Sequence, residues 1–187
     1  MSDQPAPGRL DLVMGFVNTR DDDQGTDDLA SSKLAQKWLG QSELPSDEAV
    51  PSPDELERLV DLREALRTLL RANNTGDAPP PAGLEVLNRE AARTSFGLRF
   101  DGEHGEIVAA GHGVDAAIAG LLAIIHEAMR AGNWPRLKVC YSDNCIWAFY
   151  DHSRNRSATW CRMEECGNRE KARSYRERQR ATANPGR

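Results

Sequence analysis

Four cysteines are the only residues in this chain whose type and spacing commit them to one chemistry. Four residues separate Cys140 from Cys145, four separate Cys161 from Cys166, and fifteen lie between the pairs. Two such short loops can each curl back and bring two sulfurs to one ion at about 2.3 Å, the pairs approaching from opposite sides. Zinc is the metal this spacing indicates. A disulfide reading needs an oxidising compartment, and Met1 to Leu10 is polar, with Pro5, Pro7 and Gly8 in place of an apolar signal segment. Four sulfurs close the coordination shell and leave no position for a substrate or an activated water. The expectation is one structural Zn2+ per chain in a cytoplasmic protein.

A helix is expected directly after the last cysteine, with Gly167 supplying conformational freedom and Asn168 as its N-cap. Arg169, Arg173, Arg176 and Arg180 fall at i, i+4, i+7 and i+11 and therefore share a face, which Lys171 widens. A metal-anchored helix with such a face suits phosphate, because the guanidinium fork matches phosphate oxygens. Arg154 and Arg156, between the cysteine pairs, join the candidate nucleic-acid contacts. A solvated terminal helix laced with ion pairs to Glu170 and Glu177 is the alternative. Trp147, Phe149, Tyr150 and Trp160 are expected to form the small core of this module.

The segment with Cys140, Asn144, Cys145, Trp147, Phe149, Tyr150, Asp151, Ser153, Arg154, Asn155, Arg156, Ser157, Trp160, Cys161 and Met163, then Cys166-Gly167-Asn168-Arg169 and Lys171, resembles the CGNR zinc finger. Proteins with that finger usually carry upstream the ABATE domain, described as a stress-induced transcription regulator. The rest of this chain resembles that domain too, most visibly at Phe16-Val17-Asn18-Thr19. The resemblance implies a bacterial transcription regulator acting in a stress response. One departure stands out: Ala158 and Thr159 occupy positions that are commonly basic in the family, which removes charge that could meet a phosphate.

The elements that must position the finger come earlier in the chain. Of the 187 residues, Met1 to Pro135 holds twelve Lys and Arg against twenty-three Asp and Glu, net −11. Arg136 to Arg187 holds twelve against six, net +6, so the overall −5 hides an acidic body joined to a basic finger. Leu10 to Val17 is a short apolar segment that periodicity cannot assign, and the family resemblance favours helix. Asn18 and Arg20 follow it, and with Arg63 they could line a ligand pocket; a cap or turn for Asn18 and a surface ion pair for Arg63 are the simpler readings. Residues 21 to 28 lack the closing glutamate of a calcium loop and read as a solvated acidic loop. Leu29 to Leu39 reads as a helix with Leu34, Trp38 and Leu39 inward, ended by Gly40.

Ser52-Pro53-Asp54-Glu55 is a capping box that opens the clearest helix, with Leu56, Leu59, Val60, Leu62, Leu66, Leu69 and Leu70 on its apolar stripe and Arg58, Arg63, Arg67 and Arg71 mostly on the other side. A further helix runs from about Ala82 to Arg93. Alternation of Phe96, Leu98 and Phe100, an acidic turn, and the return through Ile107 and Val108 predict a hairpin. Val114 to Arg130 is a core helix with Ile118, Leu121, Leu122, Ile125 and Met129 inward, too short in its apolar run to span a bilayer. Gly132, Asn133 and Pro135 are expected to hinge into the finger, with Trp134 packing the two modules together.

The fold class is thus α+β: a mostly α-helical N-terminal domain with a small β-hairpin, followed by a small four-cysteine zinc finger with a C-terminal helix. The expected divisions are a flexible tail at 1–9, an ABATE-like domain at 10–133, the finger at 134–181 and a tail at 182–187. No phosphate-binding loop, dinucleotide fingerprint, nucleophile elbow or zinc-protease motif is present, and an enzyme is not expected. The leading reading is a DNA-binding transcription regulator, with a small-molecule effector at the body and a homodimer as further partners. An adaptor whose finger docks a protein, and an RNA-binding finger, are the alternatives.

Overall fold

The computed structural model describes residues 5–47 and 49–183; in the last helix the side chains of 178 and 180–183 stand outside that description. The organising element is α3 (Pro53–Thr75). Ser52 Oγ accepts from the Glu55 N–H at 3.3 Å and the Glu55 carboxylate accepts from the Ser52 N–H at 2.8 Å, so the capping box forms, and Gly76 closes the helix in the left-handed region at φ 78°. Around α3 pack α1 (Leu10–Val17), α2 (Ser32–Gln41), α4 (Pro81–Arg93) and α5 (Gly113–Arg130). Leu59, Leu62, Leu66 and Leu70 meet Val13, Phe16, Ile118 and Leu121 in one buried core.

Three small antiparallel pairs complete the fold: β1 (Arg20–Asp21) with β2 (Thr26–Asp27), β3 (Ser95–Phe100) with β4 (Gly105–Ala110), and β5 (Leu137–Val139) with β6 (Ala148–Tyr150). The turn of the middle hairpin is tied by Asp101, whose carboxylate accepts the N–H groups of Glu103 and His104. Among the described residues no helix is long and apolar enough to cross a membrane.

The arginines of α3 depart from the expectation. Arg58, Arg63 and Arg67 are buried, not lined along a solvated side, and Arg63 is only 2% exposed. Arg63 forks onto the Asp27 carboxylate (3.0 Å from Nη2) and also donates to Thr19 and Glu64; Arg67 donates to the Val17 carbonyl at 2.7 Å and to Glu64. Arg58 pairs with the fully buried Glu90 and with Asp115. Long apolar stems fill core space while every fork ends on carboxylates or carbonyls, which is what makes burial of a guanidinium tolerable. Through these contacts α3 clamps the end of α1 and the acidic hairpin, so residues 20–27 form a short ladder.

Other boundaries also move. Gly40 lies inside α2, which turns Ala35 and Leu39 inward and leaves Leu34 exposed; Met129 is likewise exposed on α5. The expected hinge is absent, because Trp134–Arg136 forms a 3-10 turn and Leu137, Val139, Ala148 and Tyr150 enter the same core as the helices. Tyr150 therefore belongs to the body's core and not to a separate core of the finger.

Replacing Arg63 by Ala leaves Asp27 without its buried partner, takes one of two arginines from Glu64 and removes the bond to Thr19 after α1. A loss of about 3 kcal/mol of unfolding free energy is expected, read as a lower urea midpoint with an unchanged slope.

Candidate metal centre

The four cysteines converge. Cys140 follows β5 directly, and its N–H donates to the Trp147 carbonyl at 2.9 Å, while the Cys145 N–H closes the knuckle onto the Ser142 carbonyl at 3.0 Å. Cys161 arrives at the end of the loop after β6, and Cys166 sits in a π turn (Met163–Gly167) that leads into α6 (Asn168–Ala183). All four Sγ atoms lie within 4.8 Å of one another, and Cys145–Cys161 and Cys161–Cys166 are each 3.7 Å apart. A tetrahedron with bonds of about 2.3 Å has edges of about 3.8 Å. The set fits one metal ion, and four sulfurs without an oxygen donor suit zinc.

The charges of the cluster point the same way. Hydrogen bonds from the thiols of Cys145 and Cys161 hold Cys140 down to about 2. Donating to that thiolate pushes Cys145 up to about 12 and Cys161 up as well, and burial pushes Cys166 up. Thiolates this close repel one another, and a bound cation relieves that repulsion.

Around the sulfurs, Lys138 and Asp151 form a buried ion pair at 2.7 Å, and Lys138 Nζ also donates to the carbonyls of Arg156 and Ala158. Asp151 accepts from the N–H groups of Ser153 and Ala158. One buried ammonium and one buried carboxylate thus fold the 151–158 loop, with Arg156 held at φ 55° and the side chains of Arg154 and Arg156 outside. Trp147 and Trp160 pack against the cysteines.

Helix α6 is tied to the first knuckle. Ser142 Oγ donates to Glu170 at 3.1 Å, and Arg173 pairs with Asp143 and Glu170, each at 2.8 Å. Arg169, Lys171, Arg173 and Arg176 are all exposed, and the Arg180 side chain lies outside the described residues. Asn168 is no cap; its amide donates back to the Glu164 carbonyl at 3.1 Å. Gly167 does not use the left-handed region expected of it, and a Cβ there would meet only the sulfur of the exposed, flexible Met163 side chain at 2.5 Å.

Asn18, Arg20 and Arg63 spend their polar atoms on the protein instead of lining a pocket. The Asn18 amide exchanges two hydrogen bonds with the Ala148 backbone (3.0 and 2.7 Å), Arg20 pairs with Asp22 at the surface, and Arg63 is inside the core network. The cleft nearest the metal centre, about 280 Å3, has Asp21, Asp22, Asp23 and Gln24 on one wall and Asn144, Cys145, Trp147, Arg162 and Cys166 on the other. Nothing in the sequence signalled that the acidic hairpin would face cysteines more than a hundred residues away. The roles of Lys138, Ser142 and Asp143 were equally invisible, because their side-chain partners lie 13 to 30 residues further along the chain.

Comparison with known proteins agrees with this geometry. The ABATE family, described as "Putative stress-induced transcription regulator", matches residues 10–131, and the CGNR zinc finger matches residues 136–179. No curated protein matches the chain.

Burial alone would raise the Asp151 carboxyl, but the bonds from Lys138 and Ser153 outweigh it and hold it below the ordinary carboxylate value. A depressed carboxylate stabilises fully above its unfolded value of about 4 and loses that contribution as pH falls through the folded value. Lys138→Met is expected to cost about 3–5 kcal/mol at neutral pH. The gap between variant and wild type in urea unfolding should then narrow as pH falls below about 4.

Proposed function

We propose that this chain, which belongs to the ABATE family and carries a CGNR zinc finger, is a cytoplasmic DNA-binding transcription regulator in which one Zn2+ is structural. Cys140, Cys145, Cys161 and Cys166 hold the ion and leave it no open position. Residues 10–133 form the body and residues 134–181 the reading module, with α6 presenting Arg169, Lys171, Arg173, Arg176 and Arg180 to the phosphate backbone and the 151–158 loop adding Arg154 and Arg156.

The observation that carries this reading is the attachment of α6. A basic exposed helix is bound to the metal knuckle through Ser142–Glu170 and Asp143–Arg173, so the ion fixes where its charge points. Arg173 is shared between that tether and a phosphate role. Arg169 and Lys171 have no ion pair among the described residues and are the freer contacts.

Two measurements test the proposal. Loading the metal-free protein with zinc at neutral pH should release protons, since the ion binds thiolates while the neighbouring thiolate and burial push Cys145, Cys161 and Cys166 up, so affinity should climb with pH. Calorimetry in buffers of different ionisation enthalpy reads the release, and binding without any proton release would remove the four-thiolate site. The zinc-loaded protein should bind generic duplex DNA in a salt-dependent way, and Arg169→Glu with Arg176→Glu should weaken it by about tenfold or more. Binding to an acidic protein with no affinity for DNA would favour the adaptor, and preference for RNA over duplex DNA the RNA reader.

A further inference from the structure

Three of the four sulfurs share one opening to solvent. Cys145, Cys161 and Cys166 all border the cleft of about 280 Å3, whereas Cys140, wholly buried after β5, does not reach it. Cys161 is the least covered of the set: it is half-buried, while Cys145 is 6% and Cys166 2% exposed. It is also central, with its Sγ 3.7 Å from those of Cys145 and Cys166 alike. A buried structural cysteine is inert because nothing reaches its sulfur, but a sulfur bound to a cation is a thiolate, and one that faces solvent is a nucleophile.

The two neighbours are not equally free to meet it. Cys145 closes the first knuckle through its N–H bond to Ser142, and β5 joins that knuckle to the helical core. Cys166 lies five residues on in the same segment as Cys161, within the π turn, where Met163, Glu164 and Glu165 are exposed. Closing 3.7 Å to the disulfide length of about 2 Å therefore shifts a surface turn and leaves the knuckle in place.

We propose that Cys161 and Cys166 are a peroxide-sensitive pair whose disulfide releases the ion and loosens α6. The inference rests on the four-cysteine zinc site and adds regulation to the same module. The Cys161 thiolate attacks one oxygen of hydrogen peroxide: an S–O bond forms, the O–O bond breaks, and hydroxide leaves and takes a proton. The sulfur, oxidised by two electrons, is now a sulfenic acid. The Cys166 thiolate attacks that sulfur, the S–S bond forms, the S–O bond breaks, and a second hydroxide leaves as water once protonated. Two thiolates, one peroxide and two protons thus give one disulfide and two waters. A neutral oxidant suits the cleft, because Asp21, Asp22, Asp23 and Glu165 face a single guanidinium, Arg162, on its walls and repel anions.

Only Cys140 and Cys145 then remain as donors, too few for a closed site. The change reaches α6 because Cys166 lies immediately before it, and the ties to the knuckle, Ser142–Glu170 and Asp143–Arg173, all fall in its first two turns. A helix of 16 residues without that anchor is marginal in water.

The test treats the full, zinc-loaded chain with hydrogen peroxide and follows zinc release with a chromogenic chelator, helicity by circular dichroism and cysteine pairing by tryptic mass mapping. About one ion per chain should be released and about two thiols should remain free, while the helical signal falls and returns on adding a thiol reductant and zinc. Because Arg162 stands between Cys161 and Cys166, the expected product is peptide 157–162 joined by a disulfide to peptide 163–169. Gln24→Trp, at an exposed position on the opposite wall, should slow the release severalfold at unchanged zinc content, whereas His126→Ala on α5 should not. A disulfide that involves Cys140 or Cys145, a sulfinic acid at Cys161 without a disulfide, or zinc retained under peroxide would overturn the inference and leave the metal centre standing. A chain that binds no zinc would overturn both.

Discussion

Four backbone carbonyls, of Trp134, Leu137, Val139 and Thr159, find their donors on two neighbouring side chains at the end of α3. Asn73 serves the first pair at 2.9 and 3.0 Å, and Asn74 the second at 2.7 and 2.8 Å. The strand they hold, β5, and its partner β6 are three residues each, too short to stand by themselves. Their apolar residues gain burial only by entering the helical core, and their carbonyls can be buried only if something donates to them. Asn18 completes the arrangement from the other side by binding the Ala148 backbone in both directions. The finger is thus mounted on the body by polar side chains acting as a third and fourth strand.

That mounting decides what the metal centre can do. Lys138 and Asp151 fold the loop between the cysteine pairs from beneath, and Ser142 and Asp143 reach α6 from the first knuckle. Position therefore passes from α3 to the strands, from the strands to the sulfurs, and from the knuckle to the helix, each step through a hydrogen bond or ion pair with a buried or half-buried partner. The charge follows the same path. Basic residues end on the exposed side of α6 and on the rim of the 151–158 loop, whereas the carboxylates of Asp21, Asp22 and Asp23 border the cleft behind Cys145 and Cys166. A polyanion would meet repulsion on the cleft side and attraction along α6.

Buried arginines join the elements of the body. Arg58, Arg63 and Arg67 lie on consecutive turns of α3 and tie it to α4 and α5, to the acidic hairpin and to the end of α1. Removing any one of the carboxylates that meet them would leave a buried guanidinium without its counter-charge, which is costly.

Features that depend on local chemistry can be read from neighbouring residues alone. The capping box and apolar stripe of α3, the alternation of the 95–110 hairpin and the doubled cysteine spacing were legible because residues within a few positions of each other settle them. The tertiary structure decided what depends on distant partners. A guanidinium on the polar side of a helix looks solvated until Asp27, Glu90 or Asp115 is placed against it, and the linker at 132–135 looks like a hinge until Asn73 and Asn74 donate to the strands that follow. Periodicity reports which face of an element is apolar. It carries no information on which polar side chain, half a chain away, will satisfy the donors and acceptors that folding removes from water.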